Sequence, residues 1–187
     1  NLRLMALFLK LAFKKFWAIS KKMTIFEHKR ILRMLDQQQK NMKKTIWFIV
    51  NPISGVRRKD DIPGLIHAHL DHELFDYEIL KTTHKGHAID LALEAVKQHI
   101  DVVCAVGGDG SVHEVGTALI GSQTRLAVLP IGSGNGLARH MLIPRDVRKA
   151  IQCINELNDI QMDTVLVNDK PFLGVGGYGL DAVIAKK

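Results

Sequence analysis

Two apolar runs that each end in a glycine-rich loop place the strongest limit on how this chain can fold. Residues 102–106 (VVCAV) lead into Gly107–Ser111, and residues 126–129 (LAVL) lead into Ile131–Gly136. Each loop precedes a segment with helical spacing. A loop of this kind exposes backbone N–H groups at the start of a helix, where the positive end of the helix dipole favours an anion. The pattern therefore predicts two phosphate-binding loops, and a nucleotide site is the first hypothesis.

The same alternation extends over most of the chain. Short apolar runs predict strands at Thr45–Val50, Tyr77–Lys81, Val102–Val106 and Leu126–Leu129. Helical periodicity predicts helices at Ile62–His72, Ala88–His99, Val112–Ile120 and Leu137–Met141, and another from Pro144. Strands that alternate with helices predict an α/β fold, a Rossmann-like parallel sheet with helices on both faces.

The spacing of apolar residues also predicts which helix faces are buried. In the second helix this face contains Ile89, Ala92, Leu93, Val96 and Ile100, and in the last helix it contains Val147, Ala150, Ile151 and Ile154. Cys104 and Cys153 lie in apolar surroundings without metal-like spacing. Both are predicted to be core thiols of a reducing, cytoplasmic compartment.

In a parallel sheet of this type the ligand binds at the carboxyl ends of the strands. Four predicted loops lie at such ends, and they contain Asn51, Thr82, Gly107–Ser111 and Gly132–Asn135. Within the first glycine loop, Ser111 is expected to cap the following helix. Asp109 suggests Mg²⁺ or a hydroxyl nucleophile nearby, because a carboxylate beside a phosphate is otherwise unfavourable. Glu114 is either a surface acid or a second carboxylate that faces the site.

The charge distribution divides the chain. Residues 1–44 hold 12 Lys and Arg against two acids, whereas residues 45–187 hold 14 against 17. Nucleic-acid binding by the globular part therefore lacks support. Residues 1–22 contain no uncharged run long enough to span a membrane. They are interpreted either as a helix that lies on an anionic membrane surface or as a segment that is not native structure, because Met42 precedes the first strand directly.

Three domains are predicted. Residues 1–41 form a basic amphipathic extension or linker, residues 42–157 the nucleotide-binding α/β domain, and residues 158–187 the start of a β-rich second domain. A hairpin is predicted at residues 162–175. The chain is expected to be a piece of a longer protein, with its second domain truncated.

Other motifs carry less weight. Gly174–Gly179 (GVGGYG) matches the dinucleotide fingerprint but follows a hairpin instead of opening a βαβ unit. Neither glycine loop has the Gly-Lys-Ser/Thr of a Walker motif. His113-Glu114 lacks the second histidine of a zinc protease, so no metal ligands are assigned.

Four motifs in order resemble the diacylglycerol kinase catalytic domain family of lipid kinases, which includes sphingosine and ceramide kinases. They are Asn51-Pro52-x-Ser54-Gly55, Thr82-Thr83 with Gly86-His87-Ala88, Gly107–Ser111 with Glu114, and Pro130-x-Gly132-Ser133-Gly134-Asn135. The resemblance covers residues 43–187. It implies a nucleotide-binding α/β domain, a β-sandwich domain that helps to bind lipid, and transfer of the ATP γ-phosphoryl group to a lipid hydroxyl with Mg²⁺.

The resemblance also implies residue roles. Asp109 corresponds to the essential acid, which positions the phosphates and metal or takes the substrate proton, and Asp181 to a position near the lipid headgroup. Gly136 stands where many members have Asp. The implied nucleotide-binding set is Asn51, Thr82, Gly107, Gly108, Asp109, Gly110, Ser111, Glu114, Ser133, Gly134 and Asn135.

The sequence thus predicts an ATP-dependent lipid kinase that acts on diacylglycerol, cytoplasmic and peripheral at the inner membrane surface. Three alternatives stay open. One is a kinase of soluble substrates similar to NAD kinase, which shares the Gly-Gly-Asp-Gly loop. Another is a nucleotide-binding module without catalysis. An NAD-dependent oxidoreductase would depend on Gly174–Gly179 alone.

Overall fold

The computed structural model describes residues 43–52 and 61–173, together with Arg30. The chain divides into two units, Asn1–Met42 and Lys43–Lys187, and every element below belongs to the second. The elements are, in order, β1 (Lys44–Val50), α1 (Ile62–His69), β2 (Phe75–Lys81), α2 (His87–Lys97), β3 (Val102–Gly107), α3 (Asp109–Leu119), β4 (Arg125–Pro130), α4 (Gly136–His140), α5 (Val147–Asn155), β5 (Val165–Val167) and β6 (Lys170–Phe172). Within the described ranges no helix is long and apolar enough to cross a membrane.

The main sheet has four parallel strands in the order β2-β1-β3-β4. Its register aligns the last residues of neighbouring strands: Val50 pairs with Lys81 and with Val106, and Gly107 pairs with Pro130. All four carboxyl ends therefore lie at one edge. This arrangement confirms the predicted parallel α/β sheet.

Helices cover both faces of the sheet because side chains alternate along each strand. Ile46, Phe48 and Val50 of β1 pack in one cluster with Ile66 of α1 and Ile151 of α5. The opposite cluster combines side chains from β1, β3, α2 and α3, including Ile49, Val103, Ala92 and Val115. All six residues of β3 are buried, as expected for a central strand covered on both sides.

The buried face of α2 differs from the prediction. Its buried residues are Ala88, Ala92 and Ala95, whereas Ile89 and Leu93 are 37% and 43% exposed. Of the predicted face, Ala92 and Ile100 are buried and Val96 packs against the cluster, so the prediction is wrong for Ile89 and Leu93. The helix approaches the sheet through its alanines, which places these two larger side chains outside the buried face.

Two details of α5 also differ from the prediction. The helix begins at Val147, three residues after Pro144, because the Asp146 carboxylate accepts hydrogen bonds from the N–H groups of Arg148 and Lys149 (3.0 and 3.2 Å). These hydrogen bonds lower the pKa of Asp146, with Lys149 N–H making the largest contribution. Cys153 is exposed, so its assignment as a core thiol is wrong. It lies beside the inward face of α5 and not on it.

Cys104 is buried in β3, as predicted, and burial raises the pKa of its thiol. The predicted hairpin is present as the antiparallel pair β5 and β6. Its turn residues Asn168 and Asp169 both have positive φ (49° and 59°), which these residue types tolerate well. The hairpin contacts α3, where the His113 ring nitrogen Nδ1 lies 3.0 Å from the carbonyl oxygen of Leu173. The three-domain division itself stays a prediction.

Candidate nucleotide site

The order of the strands puts the topological switch point of the sheet between β1 and β3. From β1 the chain continues to β2, the neighbour on one side, and from β3, the neighbour on the other side, it continues to β4. The connections that follow β1 and β3 therefore lead in opposite directions along the sheet. Ligands of open α/β sheets bind at such a switch point. Asn51 follows β1 there, and its N–H donates to the carbonyl oxygen of Val106 in β3 at 3.3 Å.

The first glycine loop is shorter than the sequence analysis predicted. Helix α3 begins at Asp109 and not at Val112, with Gly108 as its N-cap. Ser111 lies within the first turn and is buried, so its predicted role as cap is wrong: Gly108 occupies the cap and supplies no side chain. The first hydrogen bond of α3 runs from Val112 N–H to Gly108 C=O at 3.1 Å. The preceding amides, from Asp109 to Ser111, open towards the sheet edge, which is the arrangement that binds an anion.

The second glycine loop is closed by Asn135, whose side chain forms two hydrogen bonds with the backbone of Gly132. Asn135 Oδ1 accepts from Gly132 N–H at 3.0 Å, and Asn135 Nδ2 donates to Gly132 C=O at 2.6 Å. Asn135 has a left-handed backbone (φ 55°) and is only 3% exposed. Its side chain therefore shapes the loop. Ser133 and Gly134, at the tip of the loop, are exposed.

The two glycine loops touch through Gly108 and Gly132. A Cβ atom on Gly132 would overlap the backbone of Gly108, and one on Gly108 would lie 3.3 Å from the Cα of Gly132. Neither position needs glycine for a positive φ, so close approach is the reason for glycine here. The sequence places Gly132 in the second loop at this edge but not in the predicted nucleotide-binding set. Its close approach to Gly108 is visible only in the structure.

Asp109 joins the two loops as well. Its Oδ1 accepts a hydrogen bond of 2.6 Å from Gly136 N–H. Its Oδ2 lies close to Gly134, since a Cβ atom added to Gly134 would be 2.5 Å from this oxygen. Gly136 was also missing from the predicted set, because a backbone donor leaves no signature in the sequence. The Asp109 side chain is exposed at this edge. The structure thus places an accessible carboxylate at the meeting point of both loops.

The other predicted acid lies apart from it. Glu114 is partly buried in the second turn of α3. Glu114 is five positions after Asp109, which is about 140° around a helix. Among the described residues no group of three or more His, Cys, Asp or Glu side chains could hold a metal ion. A single carboxylate beside a phosphate site is nevertheless compatible with Mg²⁺, which binds through one or two carboxylates together with substrate phosphates.

The loop after β2 brings Thr82 to the same edge. Thr82 is 9% exposed, and its N–H donates to Val50 C=O at 2.9 Å. The next residue, Thr83, contacts a histidine, because its N–H donates to Nδ1 of His87 at 3.1 Å. The ring of His87 also stacks on that of His84, with the ring centroids 4.7 Å apart. His87 belongs to the second sequence motif but not to the predicted nucleotide-binding set. Asp181 lies outside the described residues.

Comparison with known proteins shows the family to which this fold belongs. Residues 45–167 match the family described as "Diacylglycerol kinase catalytic domain". The "Probable lipid kinase YegS-like" of Klebsiella pneumoniae (strain 342) is 36% identical over 112 residues, which cover 57% of this chain and 38% of that protein. A diacylglycerol kinase of Staphylococcus saprophyticus is 30% identical over 141 residues, covering 74% of this chain and 46% of the relative.

Comparison with solved structures also finds a diacylglycerol kinase. A diacylglycerol kinase of Bacillus anthracis is 25% identical and superposes with a TM-score of 0.60, over 70% of this chain and 46% of that one. The chain spans less than half the length of the curated relatives that it matches here.

Proposed function

This chain belongs to the diacylglycerol kinase catalytic domain family, and from that premise we propose that it binds ATP at the edge of the sheet. The proposed reaction is transfer of the ATP γ-phosphoryl group to the hydroxyl of a lipid, with diacylglycerol as the substrate. One observation carries the proposal: the exposed Asp109 carboxylate, held by Gly136 N–H at 2.6 Å where the two glycine loops meet.

The phosphates would bind at the two loops. The first-turn amides of α3 provide donors, and the start of the helix provides the positive end of its dipole. The contact between Gly108 and Gly132 brings the second loop against the first, so that one phosphate chain can reach both. Phosphoryl transfer depends mainly on such positioning and on charge neutralisation. The predicted contacts of Asn51, Thr82, Glu114 and Ser133 with the nucleotide form part of the proposal.

Asp109 would act on the lipid hydroxyl or on the metal. The hydrogen bond from Gly136 orients the carboxylate through Oδ1, which leaves Oδ2 to accept the hydroxyl proton as the oxygen attacks the γ-phosphorus. The bond from that phosphorus to the ADP oxygen then breaks. Bound Mg²⁺ would neutralise phosphate charge, with Asp109 as its protein ligand. Residues 1–44, with their excess of Lys and Arg, support a peripheral position at the cytoplasmic membrane surface.

The test is ATP-dependent phosphorylation by the full-length protein of a panel of diacylglycerol, sphingosine and ceramide, with NAD as the soluble control. Labelled phosphatidic acid is the expected product. Label in NADP alone would assign the protein to soluble-substrate kinases. Bound ATP without any labelled product would make it a nucleotide-binding module. Either of these results overturns the proposal.

A further inference from the structure

The loop between α4 and α5 carries an apolar side chain in an unusual setting. Leu142 is 88% exposed and has φ 56°, in the left-handed region. Its N–H donates to Arg139 C=O at 3.1 Å, and Ile143 N–H donates to Ala138 C=O at 2.8 Å. This pair of hydrogen bonds ends a helix in the way that normally uses glycine at the left-handed position. A leucine here is unfavourable both for the backbone and for solvation.

The exposure of Leu142 does not come from a loosely attached loop. Met141 on one side packs against one hydrophobic cluster, and Ile143 on the other side packs against both. The chain is therefore anchored directly before and after Leu142. That leaves Leu142 projecting from a fixed support.

Positive charge is concentrated in the sequence on either side of this leucine. Residues 61–173 contain nine Lys and Arg against fifteen Asp and Glu, yet four of the nine cations fall between positions 139 and 149. They are Arg139, Arg145, Arg148 and Lys149, all exposed. None of them forms an ion pair within 4.0 Å with another described residue. The only acid in this stretch, Asp146, is occupied by the N–H groups of α5.

From this combination we propose that the segment 139–149, which spans the end of α4, the loop and the start of α5, docks on an anionic lipid surface, with Leu142 inserted among the acyl chains and the four cations at the headgroups. An anchored, exposed leucine in a cationic segment suits such a surface, because burial of the apolar side chain and attraction of the cations to anionic headgroups act together. Gly136, the partner of Asp109, begins the short helix α4, which is about 8 Å long, and Leu142 lies two residues after the end of that helix. Docking here would therefore hold the candidate site close to the membrane.

The proposal adds a docking surface to the lipid kinase proposed above, but its test measures binding and needs neither ATP nor turnover. An environment-sensitive dye is attached to Leu142→Cys in a Cys153→Ser background. Cys153→Ser removes the exposed native thiol, and the remaining native thiol, Cys104, is buried and is not expected to react in the folded protein. Leu93→Cys is the matched control: it is also an exposed leucine, 43% accessible, but it lies beside the acids Asp90 and Glu94.

With vesicles of phosphatidylcholine and phosphatidylglycerol, the dye at position 142 should gain emission and be quenched by spin-labelled lipid, and the dye at position 93 should not respond. Arg139→Gln with Arg145→Gln should weaken the apparent vesicle affinity at position 142 by about thirtyfold. Leu142→Gly should raise the thermal stability, because glycine accepts the left-handed backbone, and lower the vesicle affinity about tenfold. If the leucine had only a structural role, its replacement would leave the vesicle affinity unchanged.

Protein that sediments with vesicles while the dye at position 142 stays unchanged would overturn the proposal, since another surface, such as residues 1–41, would then be the one that binds. An equal response to pure phosphatidylcholine would overturn the role of the cations. A response that grows with protein concentration without vesicles would assign the leucine to a contact between two copies of the chain. Docking without any lipid phosphorylation would leave this surface in place and overturn the kinase proposal alone.

Discussion

Gly136 N–H donates a hydrogen bond of 2.6 Å to Oδ1 of Asp109, across 27 positions of sequence. This bond joins the first turn of α3 to the start of α4, and so it joins the two glycine loops. It also fixes the direction in which the carboxylate presents its second oxygen. The site proposed here depends on this relationship more than on any other.

Asp109→Asn tests the chemical role of the carboxylate. Asparagine keeps an oxygen that can accept from Gly136, so the fold and ATP binding should persist. Asparagine can neither accept the proton of the lipid hydroxyl nor provide a negative charge to a metal ion. The kcat of the full-length protein should therefore fall by a factor of about 10²–10⁴. Asp90→Asn is the control, because Asp90 also lies in the first turn of a helix, α2, and is exposed. Turnover of the Asp109 variant close to that of the unmodified protein would contradict the assignment.

Gly132→Ala tests the contact between the loops. The new methyl group would meet the backbone of Gly108, which cannot move aside without shifting α3. We expect a loss of about 1–3 kcal/mol in the free energy of unfolding and weaker ATP binding by isothermal titration.

Gly110→Ala is the matched change for stability. A Cβ at Gly110 meets no atom within 4 Å, and the residue lies in the helix α3. Alanine there should stabilise the protein by about 0.5–1 kcal/mol. Equal effects of the two substitutions in urea denaturation would show that the loops are not in tight contact.

Substitutions of Asn135 test whether its side chain stabilises the second glycine loop. Asn135→Ala removes both hydrogen bonds to Gly132 and leaves a residue with φ 55°, so it should cost about 2–4 kcal/mol. Asn135→Gly removes the same bonds but accepts this backbone conformation, so it should cost about 1 kcal/mol less. If the alanine and glycine variants unfold at the same urea concentration, backbone strain plays no part.

The two cysteines should differ in reactivity. Exposed Cys153 should react with a disulfide reagent within minutes in the native protein, whereas Cys104 should react only after unfolding. Because burial raises the pKa of the Cys104 thiol, the folded protein keeps it protonated where the unfolded chain would ionise it. Stability from this group is therefore complete below the ordinary thiol pKa of about 8.5 and declines as pH rises above it. Two reactive thiols in the native state would contradict this burial.

The alternation of strands and helices was predictable from the sequence because it depends on local periodicity. Val102–Val106 is apolar at every position, which indicates a strand covered on both faces, and the glycines that follow it indicate a loop at its end. The parallel sheet, and the place of the candidate site at its carboxyl edge, follow from these patterns. The choice of Asp109 as the central acid came from a motif that needs no tertiary structure to be seen.

What only the tertiary structure decided are the contacts between distant parts of the chain. Gly136 as the donor to Asp109, Gly132 against Gly108, and the side chain of Asn135 closed on its own loop all depend on how β3 and β4 pair. The alanine face of α2 and the exposure of Cys153 and Leu142 depend on which helix packs where. Hydropathy ranks side chains by size and polarity, but burial is set by the space that neighbouring elements leave. The sequence by itself therefore determined the elements and the chemistry of their ends, and packing determined which groups meet there.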